Sequence, residues 1–198
     1  ESDTAISMVV GDVTGHGIGS ALVMALCVAL FSDIIKHNHS PGDILKLANE
    51  KLCALLPTDS LYFVTAYVAT FFPRSQKIIF SQAGHPPGWL LSNTGDLTPL
   101  SCTNSFLGLY TDEAFDEASH ELSPGDRIML YTDGLSEATK PNGQRLTESG
   151  LCDLFQQHIH KSLDETLSKI FESVKQKNTP ISDDQTLVLI ETLDTDTD

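Results

Sequence analysis

Residues 9–25 read VVGDVTGHGIGSALVMA, and no other stretch constrains the chain as tightly. Ile6, Met8, Val9 and Val10 make an apolar run of strand length, and residues 20–36 follow with Leu22, Met24, Leu26, Val28, Leu30, Phe31 and Ile34 covering most faces of a helix. That helix is expected to be largely buried. Between strand and helix stand Gly11, Gly15, Gly17 and Gly19, which permit a sharp, closely packed turn, and a single acid, Asp12. A carboxylate where a buried strand ends costs on the order of several kcal/mol unless a cation or hydrogen bonds match it. Asp12 is therefore a metal ligand or a helix cap.

The same logic recurs twice. Residues 127–132 form a short apolar strand that stops at Asp133-Gly134, and the last strand, 186–191, is entered through Asp183-Asp184. Asp12, Asp133 and Asp183 or Asp184 can thus converge at one sheet edge. Like charges about 4 Å apart repel by roughly 4 kcal/mol at an effective dielectric near 20, so ionised carboxylates share such a space only around a cation. Ligation by oxygen alone points to Mg²⁺ or Mn²⁺ rather than zinc or copper. Two such ions about 3.5–4 Å apart would acidify a bridging water into a nucleophile and clamp a phosphoryl oxygen, which is phosphate-ester hydrolysis. On spacing alone the other reading, turn residues and helix caps, stays open.

The intervening chain alternates helix and hairpin signals. Ser40-Pro41-Gly42-Asp43 starts a second helix whose apolar residues repeat up to Pro57. Residues 62–72 and 77–82 form a hairpin around Pro73-Arg74-Ser75-Gln76, and Ala83-Gly84-His85-Pro86-Pro87-Gly88 is a proline-stiffened loop leading to more hairpin structure. Residues 101–116 lack a clean period and read as a loop with short pieces of structure. Helices are expected at 147–160, capped by Thr147, and at 162–177, where Ser162 and Glu165 have capping-box spacing.

A chain of 198 residues with 40% hydrophobic content suits one domain with one core. Its formal net charge of −15 argues against a nucleic-acid or anionic-membrane partner, because counterion release needs clustered Lys and Arg. No apolar stretch reaches the roughly 18–20 residues of a membrane span. Cys27, Cys53, Cys102 and Cys152 lack paired zinc spacing and read as reduced thiols. With no signal peptide visible, the expected location is cytoplasmic. A start without methionine suggests excision from a longer protein.

Taken together, the motifs resemble the bacterial RsbU/SpoIIE-type branch of the PPM (type 2C) metal-dependent protein serine/threonine phosphatases. GDVTGHGIGSALVMA is similar to that family's acid-turn-helix, FVTAYVATFFPRSQKIIFSQAGHPPGWLL to its central hairpin and AGHPP loop, and GDRIMLYTDGLSEA with SDDQTLVLI to its two later acidic segments. The resemblance covers nearly the whole chain. It implies an α+β fold, an α-β-β-α sandwich of two antiparallel sheets flanked by helices, with a dinuclear Mn²⁺ or Mg²⁺ centre. Asp12 would bridge both ions with the Val13 carbonyl beside it, Asp133 would bind the second, and Asp183, ahead of Asp184, would complete that ion's shell. These acids are the expected catalytic set.

The family also carries a Gly-Gly-Asp strand ahead of the first motif. By this resemblance residues 1–192 are a phosphatase domain lacking its N-terminal strands and 193–198 an acidic tail. Only Glu1 and Asp3 lie upstream of Asp12 among the acids. An exposed sheet edge, weak metal binding and possible homodimerisation follow as expectations. His16 is a candidate for phosphate contact or general acid and His85 a weaker one, each with turn or loop stabilisation as the alternative; Thr14 and Thr132 are candidate supporting donors. The resemblance implies a phosphorylated protein substrate, often an anti-sigma-factor antagonist, and an upstream sensory or regulatory domain. A phosphatase-fold module that binds a partner without turnover is the alternative.

Overall fold

The structure is a computed structural model that describes residues 5–57, 62–175 and 183–193. Glu1, Asp3, the end of the helix expected at 162–177 and residues 194–198 of the expected acidic tail lie outside the described residues. The chain divides into two compact units, one comprising Glu1–Pro87 and Leu100–Leu122, the other Gly88–Pro99 and Ser123–Asp198.

In the first unit β1 (Ile6–Val13), β2 (Val64–Phe72), β3 (Lys77–Ala83) and β6 (Ala118–Glu121) form a sheet in the order β1-β2-β3-β6, antiparallel throughout. β-Branched and aromatic residues suit β2 to the sheet centre. Pro73 opens the turn to β3, where Gln76 donates its N–H to the Pro73 carbonyl at 3.3 Å. Helices α1 (Ile18–Ile34) and α2 (Pro41–Leu55) cover one face. Val13, Val64, Ala66 and Val68 meet Val23, Cys27 and Phe31 of α1 and Ile44, Ala48 and Leu52 of α2 in one apolar cluster. The start of α2 follows its sequence signal: the Ser40 hydroxyl accepts from the Asp43 N–H at 3.2 Å and Pro41 opens the first turn. Glu117 then ties the approach to β6 onto α2, accepting from the Gly42 N–H at 3.0 Å and the Ser40 hydroxyl at 2.9 Å.

In the second unit β4 (Gly88–Leu91), β5 (Leu97–Leu100), β7 (Arg127–Tyr131) and β8 (Leu187–Glu191) form a sheet ordered β5-β4-β7-β8. α3 (Asp133–Ser136), α4 (Glu148–Gln157) and α5 (Leu163–Val174) accompany it. Met129, Tyr131, Leu135, Leu151, Phe155 and Ile170 belong to a second apolar cluster. Thr147 caps α4, and at α5 Ser162 and Glu165 close the capping box with bonds of 3.2 and 3.3 Å. Among the described residues each sheet thus has an apolar cluster under helices of its own.

One expectation needs correction, and two elements were not foreseen. α1 is buried on one face only: Val23, Cys27, Phe31 and Ile34 pack inward at helical spacing, while Ile18, Leu22 and Val28 are 82%, 67% and 59% exposed. An apolar sequence all round the helix hid which face was which. Beside that outer face a groove of about 320 Å³ runs along β1, lined by Val9, Met24, Cys27 and Val28 among others. β6 was not foreseen, because Ala-Ser-His-Glu has neither β-branched residues nor an apolar alternation. Nor was α3, a single turn at the end of β7. The four cysteines are free thiols, and Cys27 and Cys152 are buried. Among the described residues no helix is long and apolar enough to cross a membrane.

Candidate metal centre

Asp12 and Val13 belong to the first unit. β1 pairs with β2 so that Asp12 lies opposite Thr65 and Val13 opposite Val64. Val13 and Val64 face the helices, so the alternation of a strand turns Asp12 and Thr65 to the other face of the sheet. Asp12 is half-buried and Val13 buried. The turn beyond them is held from three sides. Thr14 donates both its N–H and its hydroxyl to the Phe63 carbonyl, each at 3.1 Å, its oxygen accepts from the Phe63 N–H at 3.1 Å, and Ser20 donates to the Thr14 carbonyl at 3.2 Å. Gly15 and Gly17 take φ values of 86° and 93°, a region that favours glycine. His16 is exposed on this turn. His85 is 4% exposed, with Nδ1 at 2.9 Å from the Thr65 hydroxyl and its carbonyl accepting from Gln82 Nε2 at 2.8 Å.

Asp133 and Asp183 belong to the second unit. Asp133 is exposed in the first turn of α3, immediately after buried Thr132. Thr132 locks the two acidic turns together: its N–H donates to the Thr186 carbonyl at 3.1 Å, its hydroxyl donates to the Asp184 carbonyl at 3.2 Å, and that hydroxyl oxygen accepts from the Thr186 N–H at 3.0 Å. Gly134 sits directly against the Asp184 carbonyl, where a β-carbon would overlap the oxygen and lie 3.3 Å from Asp183 Cβ. Asp183 is exposed and turned back on its own chain, its Oδ1 accepting from the Asp184 N–H at 2.8 Å. Asp133 and the Asp183-Asp184 turn are therefore neighbours.

The donors on each half are carboxylate and carbonyl oxygens, which suit Mg²⁺ or Mn²⁺. Among the described residues no three His, Cys, Asp or Glu side chains gather into one cluster able to hold an ion. Carbonyls and water ordinarily complete the shells of such hard cations. Thr14 and Thr132 spend their hydroxyls on the backbone, so they support the acidic turns by fixing the chain. Thr65 was missed from the sequence, because the cue to it is the β1–β2 register and no local motif.

Two antiparallel sheets flanked by helices define the fold of the type 2C serine/threonine phosphatases. The SiaA-PP2C domain of Pseudomonas aeruginosa matches with a TM-score of 0.79 at 21% identity, covering 94% of this chain and 79% of that one. The catalytic domain of the serine/threonine protein phosphatase PstP, solved in complex with two manganese ions, matches with a TM-score of 0.66 at 15% identity, covering 95% and 88%. Within that class the chain belongs to the family described as Stage II sporulation protein E (SpoIIE), whose profile matches residues 2–193. It is 27% identical over 188 residues to phosphoserine phosphatase RsbU of Bacillus subtilis (strain 168), covering 94% of this chain and 55% of that protein. Phosphoserine phosphatase RsbP of the same strain is 28% identical over 188 residues, covering 93% and 45%. The chain thus spans about half the length of each of these two relatives.

Proposed function

We propose that this domain is a Mn²⁺- or Mg²⁺-dependent phosphatase that removes phosphate from serine or threonine of a regulatory partner protein, such as an anti-sigma-factor antagonist. The observation that carries this reading is the SpoIIE family match across residues 2–193, which contains all three acidic turns, together with the names of its phosphoserine phosphatase relatives. Asp12 with the Val13 carbonyl, Asp133 and Asp183 would hold two cations. When bound, such ions acidify water for attack and neutralise phosphoryl charge. The chain's own part is to aim its oxygens: Thr14 and Ser20 fix the turn after Asp12, and Thr132 fixes Asp133 against the Asp183 turn. His16, exposed beside Asp12, is the candidate for contact with the phosphate or its leaving oxygen.

A cytoplasmic setting, an upstream sensory or regulatory domain and pairing of two copies along β1 belong to the same proposal. β1 ends its sheet, and none of the described strands pairs with its outer edge. The test uses the full-length protein with phosphoserine protein and a small aryl phosphate as substrates. Turnover should vanish on chelation, return with Mn²⁺ or Mg²⁺, and be lost in Asp12→Asn and Asp133→Asn without loss of fold. Full Mn²⁺-dependent turnover by Asp12→Asn would overturn the assignment, and partner binding without any turnover would favour a non-catalytic module.

A further inference from the structure

Resting on the reading of Asp12 as a metal ligand, we infer that His85 is a positioning residue for Asp12, acting through the hydroxyl of Thr65. Asp12 and Thr65 are directly opposed across β1 and β2, and opposed residues of an antiparallel pair present their side chains on the same face about 4.5–5.5 Å apart at Cβ. Thr65 is β-branched, so its rotamer decides whether hydroxyl or methyl faces the carboxylate. Nδ1 of His85, 2.9 Å from that hydroxyl, fixes the choice.

The backbone of His85 is itself held. His85 is 4% exposed, its carbonyl accepts from Gln82 Nε2, and Gln82 Oε1 accepts from the Cys102 N–H at 3.4 Å. Gly84, at φ 59°, turns the chain into His85 and leaves room for the Phe106 ring, and Pro86 and Pro87 stiffen the chain beyond it. An ionised carboxylate only accepts hydrogen bonds. The arrangement that serves Asp12 is therefore the tautomer in which Nδ1–H donates to Thr65, freeing the hydroxyl hydrogen for the carboxylate. Orienting partners of this kind typically carry about 10-fold or more in metal affinity or activity.

The experiment measures Mn²⁺ affinity by calorimetry, kcat and KM separately, and the melting temperature, all on the full-length protein. Thr65→Val should weaken Mn²⁺ binding about 10-fold and lower kcat with KM little changed. Thr65→Ser should stay within about two-fold of wild type, since it keeps the hydroxyl. His85→Asn, which can place an amide donor near Nδ1, should retain most of the affinity. His85→Leu should match Thr65→Val, and the double variant should be no worse than either, as for two members of one chain of bonds. Wild-type Mn²⁺ affinity in Thr65→Val, or additive losses in the double variant, would overturn the inference. Should His85→Leu fail to fold, the Thr65→Val and Thr65→Ser pair still decides. Asp12→Asn separates the two claims. Unchanged metal binding there refutes the ligand assignment itself, whereas its loss beside a silent Thr65→Val refutes only the positioning role.

Discussion

Replacing Gly134 by alanine tests how the second unit keeps its two acidic turns together. The backbone at Gly134 lies outside the left-handed region, so alanine meets no torsional penalty there. In a helical turn it would even gain up to about 1 kcal/mol over glycine. The space is what forbids it: the new β-carbon would overlap the Asp184 carbonyl oxygen and lie 3.1 Å from the carbonyl carbon and 3.3 Å from Asp183 Cβ. α3 cannot easily retreat, because the Leu135 N–H is bonded to the Thr132 carbonyl at 3.0 Å and the Glu137 N–H to the Asp133 carbonyl at 2.8 Å. The Asp183-Asp184 turn must move instead, straining the bond from Thr132 to the Asp184 carbonyl. Overpacking costs about 1–3 kcal/mol, and a lost hydrogen bond adds about 1 kcal/mol, so the clash outweighs the helical gain. Each net kcal/mol should lower the melting temperature by about 2–4 °C in a chain of this size. Calorimetry on the full-length protein should show that drop, with Mn²⁺ binding weakened about 10-fold as Asp183 leaves Asp133. Gly150→Ala is the control, since its β-carbon comes no closer than 3.3 Å to any neighbour and meets flexible side chains. Wild-type melting and Mn²⁺ affinity in Gly134→Ala would refute the reasoning.

Asn49, fully buried on α2, accepts from the Gly108 N–H at 2.8 Å and donates to the Tyr110 carbonyl at 2.6 Å. Asn49→Leu should cost about 1–3 kcal/mol for each backbone group left unsatisfied, and should speed amide exchange around residue 108. Burial pushes the Cys27 thiol up to about 11 and the Cys152 thiol up to about 12. Folded-state values raised in this way mean stability that is complete below the ordinary thiol range and falls as pH rises through those values, by up to about 1.4 kcal/mol per pH unit for each thiol. Denaturant titrations between pH 8 and pH 11 should show that slope, flattened in Cys27→Ala. Ser162→Ala removes the cap of α5 and should cost about 1 kcal/mol, read as a lower denaturation midpoint.

What could be read from the sequence was what local chemistry decides. Ser40 before Pro41 and Ser162 before Glu165 satisfy orphan N–H groups within four residues of chain, so those helix starts were legible to the residue. The hairpin of β2 and β3 was equally legible, because β-branched and aromatic runs flank a proline turn. α1 was found but its exposure was not, since apolar residues on every face give periodicity no contrast. β6 had no cue of its own and exists through its pairing to β3.

The candidate site divides along the same line. Each acid stands out locally, as a carboxylate at or near one end of an apolar strand. What joins Asp133 to Asp183 is a threonine hydroxyl reaching a carbonyl 52 residues away, an interaction set by how β7 and β8 pair. What sets Thr65 opposite Asp12 is likewise the pairing of β1 with β2, between residues 53 positions apart in sequence. A strand slipped by one residue would turn every side chain to the opposite face, so these supports depend on the hydrophobic pattern that fixes register. Val13, Val64, Ala66 and Val68 are buried under α1 and α2, and burying them is what sends Asp12 and Thr65 to the other face. The core packing of the first unit and the aim of its candidate ligand are therefore one constraint: a polar substitution at Val64 or Ala66 should disturb metal binding as well as stability.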